Sequence, residues 1–123
     1  MKTTKILALG IAATVAISSG SAMAKSSGEK LFKKKCGTCH SLEPGKHKVG
    51  PSLHQVMGRK AGSTDFKKYK ALKGADIVWD EKSLDGWITD PKKFIGKPTA
   101  MTVKIKKEDE REAIIDYLSG KED

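Results

Sequence analysis

The only two cysteines in the chain, Cys36 and Cys39, stand three residues apart, and His40 follows the second. No other feature restricts the fold so tightly. A disulfide between such close positions closes too small a loop to stabilise much. A zinc site wants four ligands at close range, and only His40 and the more distant His47 and His54 could join the two thiols. A thioredoxin-like redox pair expects a strand-helix-strand setting, which the apolar pattern does not supply. What remains is covalent attachment of a haem, the usual reading of C-x-x-C-H. Two thiols on one short turn can each add across a vinyl group, and the imidazole that follows is then set to meet the iron from one side.

A cofactor of that size also answers an energetic difficulty. The chain has 123 residues, of which 37% are hydrophobic and only 6% aromatic. That length allows one domain and excludes multi-domain enzymes. Its core is thin, and small domains gain much from a staple or a bound group.

The first 24 residues stand apart from this domain. Lys2 and Lys5 precede an uncharged, mostly apolar run from Ile6 to Ile17, and Ser18 to Ser21 lead into Ala22-Met23-Ala24. This is the layout of a secretory signal peptide cleaved after Ala24. The run is too short for the roughly 20 residues that cross a bilayer. The mature domain is therefore expected at residues 25–123, exported, most simply to a bacterial periplasm. Loss of Lys2 and Lys5 lowers the net charge from +9 to +7.

Within the mature chain, Ser26 and Glu29 form a possible capping box for a helix that runs through Leu31 and Phe32 into Cys36. From Ser41 to Thr64 the chain is punctuated by Pro44, Gly45, Gly50, Pro51, Gly58 and Gly62, which predicts an ordered loop. Asp65 to Lys73, with Phe66, Tyr69 and Leu72 at helical spacing, predicts a second helix. Asp80 caps a third, with Leu84, Trp87 and Ile88 on its apolar face and Pro91 as its stop. A second loop covers Lys92 to Lys104. Glu108, Asp109 and Glu110 open a last helix whose face carries Ile114, Tyr117 and Leu118 and which Gly120 closes. No alternating strand pattern or repeat is present. The expected architecture is small and all-α, with two long loops that need something large and apolar to pack on.

The second axial ligand has several candidates on spacing alone: Met57, Met101, His47, His54 or a lysine. Met101 lies in the loop before the last helix, where topology lets it reach the opposite haem face. Met57 reads more simply as core packing. A thioether in the last coordination position raises the haem potential and favours electron transfer over oxygen or peroxide chemistry. The competing class is a haem enzyme or gas sensor with an open iron site.

Several segments carry a family likeness. They are Gly28 to Phe32, Cys36 to His40, Gly45 to His54, Gly58 to Lys60, Asp90 to Ile95, Thr99 to Met101 and Arg111 to Leu118. In this order, from Gly28 to Leu118, the chain resembles the class I cytochromes c, in the branch of mitochondrial cytochrome c and its soluble bacterial relatives. The resemblance implies that family's fold of short helices and long loops wrapped around one haem c. It implies Cys36 and Cys39 as thioether anchors, His40 as proximal ligand and Met101 as distal ligand. Pro51 matches the residue whose carbonyl accepts the proximal imidazole proton. Arg59, Trp79 and Tyr69 resemble donors around a buried haem propionate, and Thr99 resembles the residue that holds the methionine loop. Gly28 and Phe32 would cross the last helix at Tyr117 and Leu118.

The chain departs from the family in two places. Trp87 stands where relatives usually carry a tyrosine beside the methionine sulfur. Thr102-Val103 replaces an aromatic-containing stretch after about one extra residue, which points to a looser, more exposed distal loop.

The excess charge is nearly all lysine, a hydrated point charge suited to loose contacts. Lys46, Lys48, Lys92, Lys93, Lys97, Lys104, Lys106 and Lys107 flank the loops and are expected to ring the haem edge, steering it to acidic docking faces. The resemblance thus implies a soluble, monomeric, periplasmic carrier that transforms no substrate and binds no nucleic acid. It would take single electrons from a quinol-oxidising cytochrome bc-type complex or a dehydrogenase. It would deliver them to a terminal oxidase, a reductase or a photosynthetic reaction centre, docking transiently at the membrane. A dedicated cytochrome subunit of one periplasmic dehydrogenase would differ only in its partner.

Overall fold

The computed structural model describes residues 20–121 and, ahead of them, only Gly10, Ala12 and Thr14. Most of the expected signal peptide, residues 1–24, therefore lies outside the described residues. Four helices appear in order: α1 (Gly20–Lys35), α2 (Glu81–Thr89), α3 (Pro91–Ile95) and α4 (Glu108–Ser119). Among the described residues the only β pairing is an isolated bridge between Lys60 and Val78. The all-α expectation holds. None of the described helices is long and apolar enough to cross a membrane.

α1 packs chiefly on α4. Phe32, 4% exposed, meets Tyr117 with ring centroids 5.6 Å apart, and Gly28 is buried at the same face. Ile114 and Ile115 of α4 complete this contact with the core. The start of α1 differs from the expected one. The helix begins at Gly20, so Ser26 lies inside it and is not its cap, and the backbone runs helically past Ala24. Ala22, Met23 and Ala24 are strong helix formers, and they extend the helix ahead of the predicted start.

α2 starts as predicted. Asp80 accepts from the Ser83 amide at 2.8 Å while the Ser83 hydroxyl accepts from the Asp80 amide at 2.9 Å, a reciprocal capping box. Pro91 does end α2, but it also opens α3 inside the stretch predicted as loop. Asp90 closes one helix and caps the next, accepting from the Lys93 amide at 3.2 Å. A proline at the first helical position has no amide to leave unsatisfied, so the same residue stops one helix and begins another.

The predicted helix over Asp65–Lys73 does not form. That stretch is a series of turns, with Lys73 bonded back to the Lys70 carbonyl and Ala75 to Leu72. Its side chains are committed elsewhere. Phe66 packs edge-on against both His47 and Tyr69, and Thr64 binds the Phe66 amide and the Tyr69 hydroxyl. Nine residues are too few to hold a helix without a face to bury. The backbone also passes too close to Gly62 for a side chain, because a Cβ there would collide with the Leu72 carbonyl, and its φ is +69°.

Candidate functional site

The Cys36–His40 motif continues directly from the end of α1. The amides of Cys36 and Gly37 both donate to the Phe32 carbonyl at 2.8 Å, and the His40 amide donates to Cys36 at 2.9 Å. The motif is thus a turn anchored by a packed helix. Both thiols are free. Cys36 belongs to the buried core, and burial pushes its thiol pKa up to about 11. Among the described residues no three His, Cys, Asp or Glu side chains converge as a metal group, which disfavours the zinc reading.

His40 is held from one side. Its Nδ1 lies 2.7 Å from the Pro51 carbonyl, so Nδ1 carries the proton and Nε2 keeps a free lone pair. Burial favours the neutral imidazole, and the nearby Arg59 and Lys48 charges add to this against the opposing Pro51 bond. Gly50 makes room for the ring, since a Cβ there would lie 2.9 Å from Nδ1. The Gly50 amide donates to the Cys39 carbonyl at 2.8 Å, which ties this loop to the motif.

The distal loop closes on α2. The Trp87 indole Nε1 donates to the Met101 sulfur at 3.1 Å, and the Met101 amide donates to Thr99 Oγ1 at 3.3 Å. Met101 and Val103 turn inward onto the core, while Ala100 and Thr102 are exposed. The Ile105 amide returns the loop to the Ile88 carbonyl at 2.9 Å.

The other candidate ligands have different roles. Both ring nitrogens of His47 are engaged: Nδ1 accepts from the Ser52 amide at 2.9 Å, and Nε2 donates to Asp65 at 2.6 Å. His54 is exposed. Met57 packs on the core, as expected.

Arg59 donates to the Ser52 and His54 carbonyls, each at 2.9 Å. Burial lowers its pKa and the neighbouring Tyr69 opposes that shift, so the two side chains share one neighbourhood. The Tyr69 hydroxyl itself is bonded to Thr64 at 2.6 Å. Trp79 is 5% exposed, and its indole N–H finds no acceptor among the described residues. A buried donor without a partner costs about 1–3 kcal/mol, and a haem carboxylate would satisfy it. Leu53, Met57, Leu72, Ile77, Ile95 and Val103 come from separate stretches of chain, pack on the core and stay partly exposed. Partly exposed apolar side chains beside a prepared imidazole and an unpartnered Trp79 donor are what a large apolar group with carboxylates would use, so the residues present fit a haem.

Residues 26–121 match the sequence model of the family described as Cytochrome c. The chain belongs to the cytochrome c family, as a class I c-type cytochrome. It is 41% identical to the cytochrome c of Theileria annulata over 92 residues, covering 74% of this chain and 80% of that protein. The cytochrome c of Sesamum indicum is 39% identical over 94 residues, 75% of this chain and 85% of its own length. Cytochrome c2 of Rhodospirillum rubrum is 39% identical over 127 residues, covering 91% of this chain and 93% of its own length. Cytochromes c carry covalently bound haem c and act as electron carriers with redox partner proteins; they are not enzymes.

Sequence reasoning missed three features of this neighbourhood. Ser52, 2% exposed, bonds the Glu43 carbonyl and orders the loop around His47. The His47–Asp65 contact joins two loops across 18 positions. Lys48, counted in the lysine ring, is turned onto the Gly37 carbonyl at 2.7 Å. The Gly50-Pro51 pair was the one local signal for a close approach to His40.

Proposed function

We propose that this chain is a soluble periplasmic single-electron carrier whose iron is held between His40 and Met101. The observation that carries the reading is the pairing of two prepared ligands. One is a neutral imidazole fixed by Pro51; the other is a thioether fixed by Trp87 and Thr99. Cys36 and Cys39 would anchor the haem covalently, and the haem would supply the one-electron ferric/ferrous couple. Pro51 keeps the His40 proton on Nδ1 and so keeps the other nitrogen available. Arg59, Tyr69 and Trp79 would screen the haem carboxylates from water, with Trp79 as the free donor.

With His40 and Met101 both holding the iron, no place would remain for a substrate, which would favour a carrier over a haem enzyme or sensor. Export is supported by the signal-peptide layout of residues 1–24. The proposed partners are membrane redox complexes with acidic docking faces, a quinol-oxidising bc-type complex as donor and an oxidase, reductase or reaction centre as acceptor. Lys92, Lys93 and Lys97 lie exposed beside the distal loop, where they could steer such contacts.

Stopped-flow oxidation of the reduced holo-protein by a membrane-bound oxidase tests this. The expected result is transfer of one electron per chain, at a rate that falls steeply as ionic strength rises. A rate indifferent to salt would contradict the docking mode, and tight carbon monoxide binding by the ferrous protein would contradict the filled iron.

A further inference from the structure

Arg111 of α4 joins two parts of the molecule that lie far apart in the chain. Its Nε donates to the Asp85 carboxylate of α2 at 2.7 Å, across 26 positions. Its Nη1 donates to the Ile105 carbonyl at 3.0 Å and to the Lys106 carbonyl at 2.9 Å, where the distal loop ends ahead of α4. The Arg111 side chain is only 12% exposed, so water competes weakly for these bonds. Ile105 is buried and is gripped from its other side as well, because its amide donates to the Ile88 carbonyl of α2. Both backbone polar groups of this residue are therefore fixed, and it stands four positions after Met101. The neighbouring cation on the loop is placed differently. Lys104 reaches Asp90 at 3.6 Å with its side chain 55% exposed, and an exposed pair of that kind contributes little.

We infer that Asp85 and Arg111 are positioning residues that clamp the foot of the distal loop and so set how firmly Met101 keeps its place on the iron. The inference rests on the reading of Met101 as the second axial ligand. A sulfur carried on a loop is a tethered ligand, and the free length of its tether sets its effective concentration at the iron. With the clamp closed, the tether runs from Gly96, the cap of α3, to Lys104. With the clamp open, the Ile105 and Lys106 carbonyls lose their donor and the tether lengthens toward the start of α4 at Glu108. Asp85 matters because a guanidinium presents its donors in a rigid planar fork, so a carboxylate on Nε aims Nη1 at the two carbonyls. An ammonium on a flexible stem has no such fork. Both residues act on Met101 through the loop backbone, and a loop that opens rarely serves the proposed carrier.

Imidazole competition for the ferric iron of the holo-protein, read beside denaturant unfolding, tests this. Asp85→Ala keeps a strong helix former in α2. It is expected to tighten imidazole binding about tenfold, the equilibrium equivalent of one lost charge-assisted bond. Asp85→Asn, which keeps an acceptor for Nε, is expected to recover most of that change. Arg111→Lys is expected to match Asp85→Ala, and the double variant to go no further than either, since both open one clamp. Lys104→Ala is expected to stay within about twofold of the wild type. Unchanged imidazole affinity in Asp85→Ala beside a lowered unfolding midpoint would mean that the pair supports only the fold, and the inference is overturned. Single effects that simply add, or a Lys104→Ala effect as large as that of Asp85→Ala, overturn it too. Absence of the sulfur-to-iron charge-transfer band in the ferric wild type would instead overturn the ligand reading, and this inference with it. Should the variants fail to fold, the wild type decides: slow solvent exchange of the Arg111 Nε proton is expected, and fast exchange overturns the proposal.

Discussion

Gly50 lacks a side chain because the His40 ring fills the space where one would stand. Gly50→Ala is therefore an overpacking substitution, expected to cost about 1–3 kcal/mol. Denaturant unfolding of the holo-protein should show a lower midpoint with an unchanged slope; an unchanged midpoint would mean the ring has room to spare. At this scale the sequence was legible where chemistry is local. Cys36, Cys39 and His40 share one turn, so their spacing alone was enough to propose a use for them. Pro51 was legible only through family likeness, since nothing in its neighbours says whose proton its carbonyl accepts. The His47–Asp65 contact was illegible, because it depends on how two irregular loops lie against each other.

At the scale of elements, the acidic caps link folding to pH. The carboxyls of Asp80 and Asp90 are held below the usual range first by hydrogen bonds from the Ser83 and Lys93 amides, and Asp65 by its bond to His47. A carboxyl depressed in the folded state stabilises it above the unfolded value of about 3.9 and loses that contribution as pH falls through the folded value. Thermal unfolding should therefore begin to decline below about pH 6.5, where an unfolded His40 takes up a proton that the folded one resists, and fall further below about pH 4 as the carboxyls protonate. Asp80→Asn should flatten part of that decline relative to wild type, and an identical acid profile would show that the cap carries no pH-dependent stability. Caps and apolar faces made α2 and α4 readable in advance. The turn region over Asp65–Lys73 was misread because helical spacing of Phe66, Tyr69 and Leu72 arises equally from turns that pack on neighbouring loops. α3 was missed because Pro91 carries both a stop and a start signal, and only the stop was taken.

Across the whole molecule, the net charge of +9 hides a division. Glu81, Asp85, Glu108, Glu112 and Asp116 line one cleft of about 490 Å³ between α2 and α4, while exposed lysines gather along the distal loop. The steering ring is also less free than the sequence implies, since Lys46 pairs with Glu43 at 3.1 Å, Lys104 with Asp90 at 3.6 Å, and Lys48, though exposed, donates to the Gly37 carbonyl at 2.7 Å. Salt sensitivity should therefore track Lys92, Lys93 and Lys97 more than those three. The thin core was legible from composition, and so was the need for a large apolar partner; partly exposed apolar residues from separate loops pack on that core.

The central claim is that Met101 completes the iron. The charge-transfer band between sulfur and ferric iron, recorded in the visible spectrum of holo-protein, tests it most directly. The band is predicted in the wild type and in Met57→Leu, and predicted to vanish in Met101→Ala. Its survival in Met101→Ala, or its loss in Met57→Leu, would contradict the account.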